Sequence, residues 1–179
     1  MIVSLGNKSI TYPSLTWSAG LTLFTGPSGS GKTTLLRALH GELPITEASE
    51  HWSTLETALM PQQNTWIPYL SLRNQLREFG GRSAESILKR LQLSEHADKR
   101  PNELSIGQLQ RFSLALTLSK NAMTFLLDEP TSALDDDLAE LVFELLKEHI
   151  EESDHRSIIA VTHDPRMRAY FTQANLWEL

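Results

Sequence analysis

Residues 26–33 read Gly-Pro-Ser-Gly-Ser-Gly-Lys-Thr and fill every fixed position of the pattern Gly-x-x-x-x-Gly-Lys-[Ser/Thr]. Glycines let the backbone turn tightly and aim several N–H groups at one anion. The lysine adds a positive charge where the β- and γ-phosphates of a nucleotide would lie, and the Thr33 hydroxyl is a ligand for a magnesium ion. Leu21–Thr25 reads as a short buried strand entering this loop. Lys32–Leu39 reads as a helix leaving it, with its N-terminal dipole towards the anion. A surface loop that is merely rich in glycine has no need of this spacing or of the strand–loop–helix setting. Gly26, Pro27, Ser28, Gly29, Ser30, Gly31, Lys32 and Thr33, with the following Thr34, are therefore the candidate nucleotide-phosphate site.

Composition sets the outer limits. A chain of 179 residues, 40% hydrophobic and 21% charged, suits one soluble globular domain large enough to bury a core. Net charge is −6, from 16 Lys+Arg against 22 Asp+Glu. Lys89-Arg90 and Lys99-Arg100 read as solvated helix and loop charges, so no nucleic-acid partner is expected. The chain has no cysteine, which excludes disulfides, cysteine zinc sites and thiol catalysis. Its six histidines show no ligand-type pairing. No stretch approaches the roughly 18 apolar residues of a membrane span, and the first six residues lack the layout of a signal peptide. A cytoplasmic protein with no direct membrane insertion is expected.

Along the chain, Ile2–Leu5 and Ile10–Tyr12 read as short strands around a turn at Gly6-Asn7-Lys8, and Pro13-Ser14 breaks regularity. The helix after the loop stops near Gly41, a C′ residue, with Pro44 soon after. Residues 45–57 read as loop with a short edge strand, and Ala58–Met60 as an apolar run closed by Pro61. Helical spacing is expected over Ser71–Phe79, ended by Gly80-Gly81, over Ala84–Leu91, and over Gln108–Ser119. Met123–Leu127 reads as a core strand. Asp135 is a good N-cap for a long amphipathic helix carrying Leu138, Leu141, Val142, Leu145, Leu146 and Ile150. Ser157–Val161 reads as a buried strand; a short helix from Pro165 and a strand near Asn175–Trp177 follow. Strands alternating with helices predict an α/β fold with a mainly parallel sheet covered on both faces.

Two further features carry chemistry. The apolar strand before Asp128-Glu129 delivers two acids at its C-terminal tip, where ligands bind in sheets of this type. Asp128 would hold Mg²⁺, directly or through water, and Glu129 would polarise an attacking water. Leu104-Ser105-Ile106-Gly107-Gln108 lies just before a helix. Ser105 and Gln108 have the spacing of a capping box, and a serine hydroxyl with a glycine amide at a helix start also makes an anion site.

With these motifs in this order, the chain resembles the nucleotide-binding subunits of the ABC transporter family, from about residue 15 onwards. Residues 104–108 match the family signature Leu-Ser-Gly-Gly-Gln except at Ile106. If the backbone there required a positive φ, that β-branched side chain would be strained. The resemblance implies a P-loop ATPase fold as one domain over residues 1–179, with a helical subdomain inserted at approximately 64–103 and a reduced N-terminal β-subdomain. It also implies a D-loop at Ser132, Ala133, Leu134 and Asp135, the last also a helix cap. His163 would be the switch histidine that senses the γ-phosphate. Gln62 or Gln63 would be the glutamine that touches Mg²⁺ or the attacking water; Gln62, directly after Pro61, is favoured. Tyr12 sits too close to the loop to match the family's adenine-stacking aromatic and reads equally as core.

The function so implied is an ATP-hydrolysing subunit of a membrane transporter, with ATP and Mg²⁺ as cofactors. Glu129, His163 and Gln62 would be catalytic, and Thr33, Gln62 and Asp128 would hold the metal. Two copies would sandwich two ATP molecules, each completed in trans by Ser105, Ile106, Gly107 and Gln108 of the other copy. The partner is an integral-membrane permease, contacted through residues 64–103, which places the chain on the cytoplasmic face of the plasma (inner) membrane. Two rivals differ in class. Soluble ABC-type ATPases of DNA repair or chromosome organisation insert long coiled coils between the motifs, and no sustained heptads occur here. A scaffold that uses ATP only to dimerise has no need of Glu129 and His163.

Overall fold

Four strands of the main sheet are near-continuous apolar runs, and alternate residues of each feed two separate cores. In Thr124–Asp128, Phe125 and Leu127 face one core while Leu126 faces the other; in Ser157–Val161, Ile158 and Ala160 divide from Ile159 and Val161 in the same way. A period of two on a strand buried on both sides requires this pattern, and it marks a sheet with helices on each face.

The computed structural model describes residues 1–13, 19–47, 56–62, 66–81 and 83–179. In chain order they form β1 (Ile2–Leu5), β2 (Lys8–Thr11), β3 (Gly20–Thr25), α1 (Lys32–Leu39), β4 (Ile45–Glu47), β5 (Thr57–Met60), α2 (Leu72–Phe79), α3 (Ala84–Arg90), α4 (Ile106–Leu118), β6 (Thr124–Asp128), α5 (Asp136–Glu151), β7 (Ser157–Val161), α6 (Pro165–Tyr170) and β8 (Asn175–Glu178). Among the described residues, β5-β6-β7-β3-β8 make a sheet in which every neighbouring pair is parallel. A smaller antiparallel sheet runs β2-β1-β4. The α/β architecture read from the sequence is the one found, as is the edge strand expected within 45–57. The loop expected at 48–55, Ser14 and the alternative Gln63 lie outside the described residues.

Helix α1 buries Leu35, Leu36 and Leu39 against Phe24, Leu126 and Ile159 on one face of the sheet. Each such side chain contributes roughly 1.5–3 kcal/mol, and Leu36→Ala would cost about 2–5 kcal/mol. Helices α4 and α5 cover the other face through Phe112, Ala115, Val142 and Leu146. Helices α2 and α3 pack on α4 rather than on the sheet. Buried Arg111 of α4 secures them by donating to the carbonyl of Leu91, just past α3, at 2.6 Å.

Several boundaries differ from expectation by a residue or two, and three of them have a visible cause. β2 starts at Lys8, because the turn needs only Gly6 and Asn7 when Leu5 pairs with Lys8. α4 starts at Ile106, not Gln108, because the capping box itself defines the first turn. β6 extends to include Asp128, whose Cα pairs with Val161.

Candidate functional site

The loop from Gly26 to Gly31 joins β3 to α1 at the C-terminal edge of the sheet. Gly31 is the N-cap of α1 with φ 96° and no side-chain cap, so the first N–H groups of the helix are left for a ligand. A side chain at Gly31 would be strained and would also meet the Tyr12 hydroxyl, 2.7 Å from where its Cβ would lie. That hydroxyl donates to the Gly31 carbonyl at 2.8 Å, and burial pushes the phenol up to about 12, so Tyr12 remains a donor at neutral pH. Tyr12 is thus a buried prop under the loop, the core role it was read as sharing. The Lys32 ammonium is held over the loop by the carbonyls of Gly26 (2.8 Å) and Pro27 (2.7 Å) and by Ser30 Oγ (3.3 Å).

The acids arrive from β6. Asp128 is buried, with Thr33 beside its carboxylate and Oδ2 left without a protein partner. Burial raises its carboxyl above the usual range, against the pull of Thr33 and Lys32. Glu129 follows with φ 52°, a left-handed conformation uncommon for a residue with a side chain. Its N–H donates to Val161 O at 2.9 Å. One carboxylate oxygen accepts the backbone N–H of His163 at 3.2 Å; the other lies 3.7 Å from His163 Nε2, too far for a hydrogen bond. Burial also raises the Glu129 carboxyl, opposed by that N–H and by the charge of His163.

Ser28, Gly29, Gly31, Lys32, Thr33, Thr34, Gln62, Asp128, Glu129 and His163 line one cleft of about 400 Å³ with Ile10 and Val161. The phosphate-loop, acid, glutamine and histidine candidates therefore converge. None of the 105–108 residues lines that cleft, although Ile106 lines an adjoining pocket with Gln62, Asp128 and Glu129. Ser105 Oγ accepts from Gln108 N at 3.2 Å and Gln108 Oε1 accepts from Ser105 N at 2.9 Å, the reciprocal capping box. Ile106 is 77% exposed and takes no positive φ, so the strain considered for it is absent. Gly107 matters for closeness: an added Cβ would lie 3.0 Å from Ala133 O. Asp135 caps α5 by accepting Leu138 N at 2.9 Å.

Four residues not singled out from the sequence tie these motifs together. Thr131 donates to Asp164 at 2.7 Å; Asp164 is gripped by Arg166 at 2.8 and 2.9 Å; Arg166 also reaches Asp136 at 2.6 Å and Leu134 O at 3.2 Å. Gln110 of α4 bonds Glu129 O, Ser132 Oγ and Ala133 N. The signal that would have found them is weak: a glutamine inside a helix and a Thr/Asp/Arg set split across the acid loop and the histidine loop.

A model of the family described as ABC transporter matches residues 13–132. An uncharacterized ABC transporter ATP-binding protein of Haemophilus influenzae is 35% identical over 79% of this chain and 63% of its own length. A putative hemin import ATP-binding protein of Staphylococcus aureus, HrtA, is 31% identical over 83% of this chain and 78% of its own. The dimeric structure of the ATP-binding cassette MJ0796, in a post-hydrolysis state with ADP and Pi, superposes with a TM-score of 0.75 at 26% identity, over 94% of this chain and 87% of that one. The chain belongs to the ABC transporter family, as one of its ATP-binding, ATP-hydrolysing cassettes.

Proposed function

We propose that this chain is the engine of a membrane transporter, working as a pair of copies that close over two ATP molecules and drive a separate permease. The observation that carries the reading is the division of the motifs: phosphate loop, acids, Gln62 and His163 share one cleft that none of Ser105–Gln108 lines, and of these four only Ile106 adjoins the acids, in a neighbouring pocket. A nucleotide on the loop of one copy is then completed by the signature of the other.

In this reading the helix α1 N–H groups and Lys32 bind the phosphates. Thr33, Asp128 and Gln62 would hold Mg²⁺; a buried carboxylate oxygen without a partner near a hydroxyl suits a hard divalent cation. Bound there, the ion would offset charge on the β- and γ-phosphates. Glu129 takes the proton of a water whose oxygen attacks the γ-phosphorus; the bond to the bridging oxygen breaks and ADP leaves. Its raised carboxyl affinity for protons suits an acceptor that must take one. His163 faces the γ-phosphate and registers its departure, after which the copies separate.

Residues 1–179 act as one domain in which approximately 64–103 form the helical insert that meets the permease. Tyr69 and Phe79, 72% and 48% exposed, give that insert an apolar contact. Among the described residues no helix is long and apolar enough to cross a membrane, so the chain would sit on the cytoplasmic face through its partner. Phosphate release from ATP, light-scattering mass with and without ATP, and co-purification with membranes test the reading. A chain that neither releases phosphate nor gains mass with ATP overturns it.

A further inference from the structure

Glu129 holds a left-handed backbone conformation, φ 52°, that disfavours a side chain, and such a residue persists only where its surroundings hold it. Its amide is fixed by Val161 O across the sheet. Its carbonyl is fixed from α4: Gln110 Nε2 donates to it at 2.5 Å, and Ser132 Oγ donates to it at 3.2 Å. The rest of the Gln110 amide serves the same turn. Nε2 also reaches Ser132 Oγ at 3.0 Å, and Oε1 accepts Ala133 N–H at 2.9 Å. Gln110 is 8% exposed and lies outside the phosphate-loop cleft. It rides on the helix that begins with Ile106 and Gly107, and Gly107 passes so near the same turn that an added Cβ would lie 3.0 Å from Ala133 O. The start of α4 and the turn Glu129–Ala133 are therefore bonded through Gln110 and closely approach each other one turn of helix earlier, at Gly107.

We infer that Gln110 is a positioning residue that aims the Glu129 carboxylate and carries the position of the signature turn to it. When the 105–108 turn of one copy is drawn onto a partner's nucleotide, α4 moves as a rigid rod, and Gln110 sets the aim of that copy's own Glu129. Each half of the dimer thereby learns whether the other half is loaded. No proton passes through the amide; its effect is purely geometric. This inference rests on the composite-site reading above.

Without Gln110 the Glu129 peptide is free to leave the left-handed region, swinging the carboxylate off the His163 N–H. Nucleotide binding through Lys32 and the loop is untouched. Gln110→Ala should lower kcat for ATP roughly 10²-fold, the scale of an ångström-sized misplacement, with KM within about twofold and any sigmoidal dependence of rate on ATP flattened. A double variant, Gln110→Ala with Glu129→Gln, should still dimerise on ATP. Ser132→Ala, at an exposed side chain, removes the second donor to the same carbonyl and should lower kcat several-fold without moving KM, which keeps the test open if Gln110→Ala fails to fold. Unchanged kcat in a folded Gln110→Ala or in Ser132→Ala, or a fall in kcat matched by a rise in KM, overturns the inference. Failure of the Gln110-intact chain to hydrolyse ATP, or of Glu129→Gln to dimerise, strikes instead at the composite-site reading.

Discussion

The Glu129 carboxylate rests on the backbone of His163, accepting its N–H at 3.2 Å, so the two residues read as base and switch share one hydrogen bond across the tips of β6 and β7. Glu129→Gln keeps an acceptor for that N–H and loses only the ability to take a proton. ATP should still bind, phosphate release should fall by at least about 10²-fold, and an ATP-dependent dimer should accumulate on size exclusion with light scattering. Hydrolysis at the unmodified rate would remove Glu129 from its role.

Tyr12 and Gly31 should show how far the loop depends on its prop. Tyr12→Phe deletes a single hydrogen bond to a carbonyl and should weaken ATP affinity several-fold, for about 1 kcal/mol. Gly31→Ala adds both strain at φ 96° and a clash with the Tyr12 hydroxyl, and should abolish measurable binding. Equal affinities for the two variants, by calorimetric titration, would mean that the loop is not shaped from beneath.

Ile106 and Gly107 are neighbours with opposite expectations. Ile106→Ala alters an exposed side chain and should leave the unfolding free energy unchanged within about ±0.5 kcal/mol. Gly107→Ala presses a methyl towards Ala133 O, so the 132–135 turn must shift and hydrolysis should drop while the fold survives. Circular dichroism and phosphate release separate the two outcomes.

Arg166 links the loop after β6 to the loop after β7 through Asp164, Asp136 and Leu134 O. Burial works against the Asp164 carboxylate, and the hydrogen bonds from Arg166 and Thr131 override it, holding its carboxyl below the usual range. Arg166→Ala should cost about 1–3 kcal/mol and raise the Asp164 carboxyl. Denaturant titration measures the first, and carboxyl chemical shifts against pH the second.

His149 sits under the sheet with its ring edge-on to Phe125, at 4.7 Å between centroids. Burial, with Arg156 adding to it and Glu152 opposing it, lowers its pKa to about 4. The unfolded chain takes up that proton near 6.5, so this residue's contribution is intact above about 6.5. It drains away as pH falls towards 4, by roughly 3 kcal/mol in total. His149→Gln should flatten the dependence of stability on pH across that window; an unchanged slope by denaturant titration would refute the assignment.

The elements were legible where burial wrote them twice. The runs in β6 and β7 are apolar at every inner position, and that in β3 at all but Thr22, because both faces are covered, and the loop at 26–33 is fixed by its own spacing. Asp135 and Ser105 were legible because a cap is a local device. Strand order was not legible, since β7 reaches its place between β6 and β3 only through long-range pairing. Nor was Gln110, which in sequence resembles any polar residue of an amphipathic helix and acquires meaning only when it meets Glu129, far along the chain. Tyr12 was ambiguous for the same reason: its partner Gly31 is set by folding, not by periodicity.

Lys32, the two acids and His163 all hang from β3, β6 and β7, and in the order β6-β7-β3 these strands are adjacent, with Asp128 and Phe24 both facing Val161. The site therefore has no private hinge. Loss of the geometry of Lys32, the acids and His163 requires the centre of the sheet to come apart. Amide hydrogens of Leu23, Leu126 and Ile159 should then exchange only on the slowest, whole-molecule openings, and their lifetimes measure how long the site stays assembled.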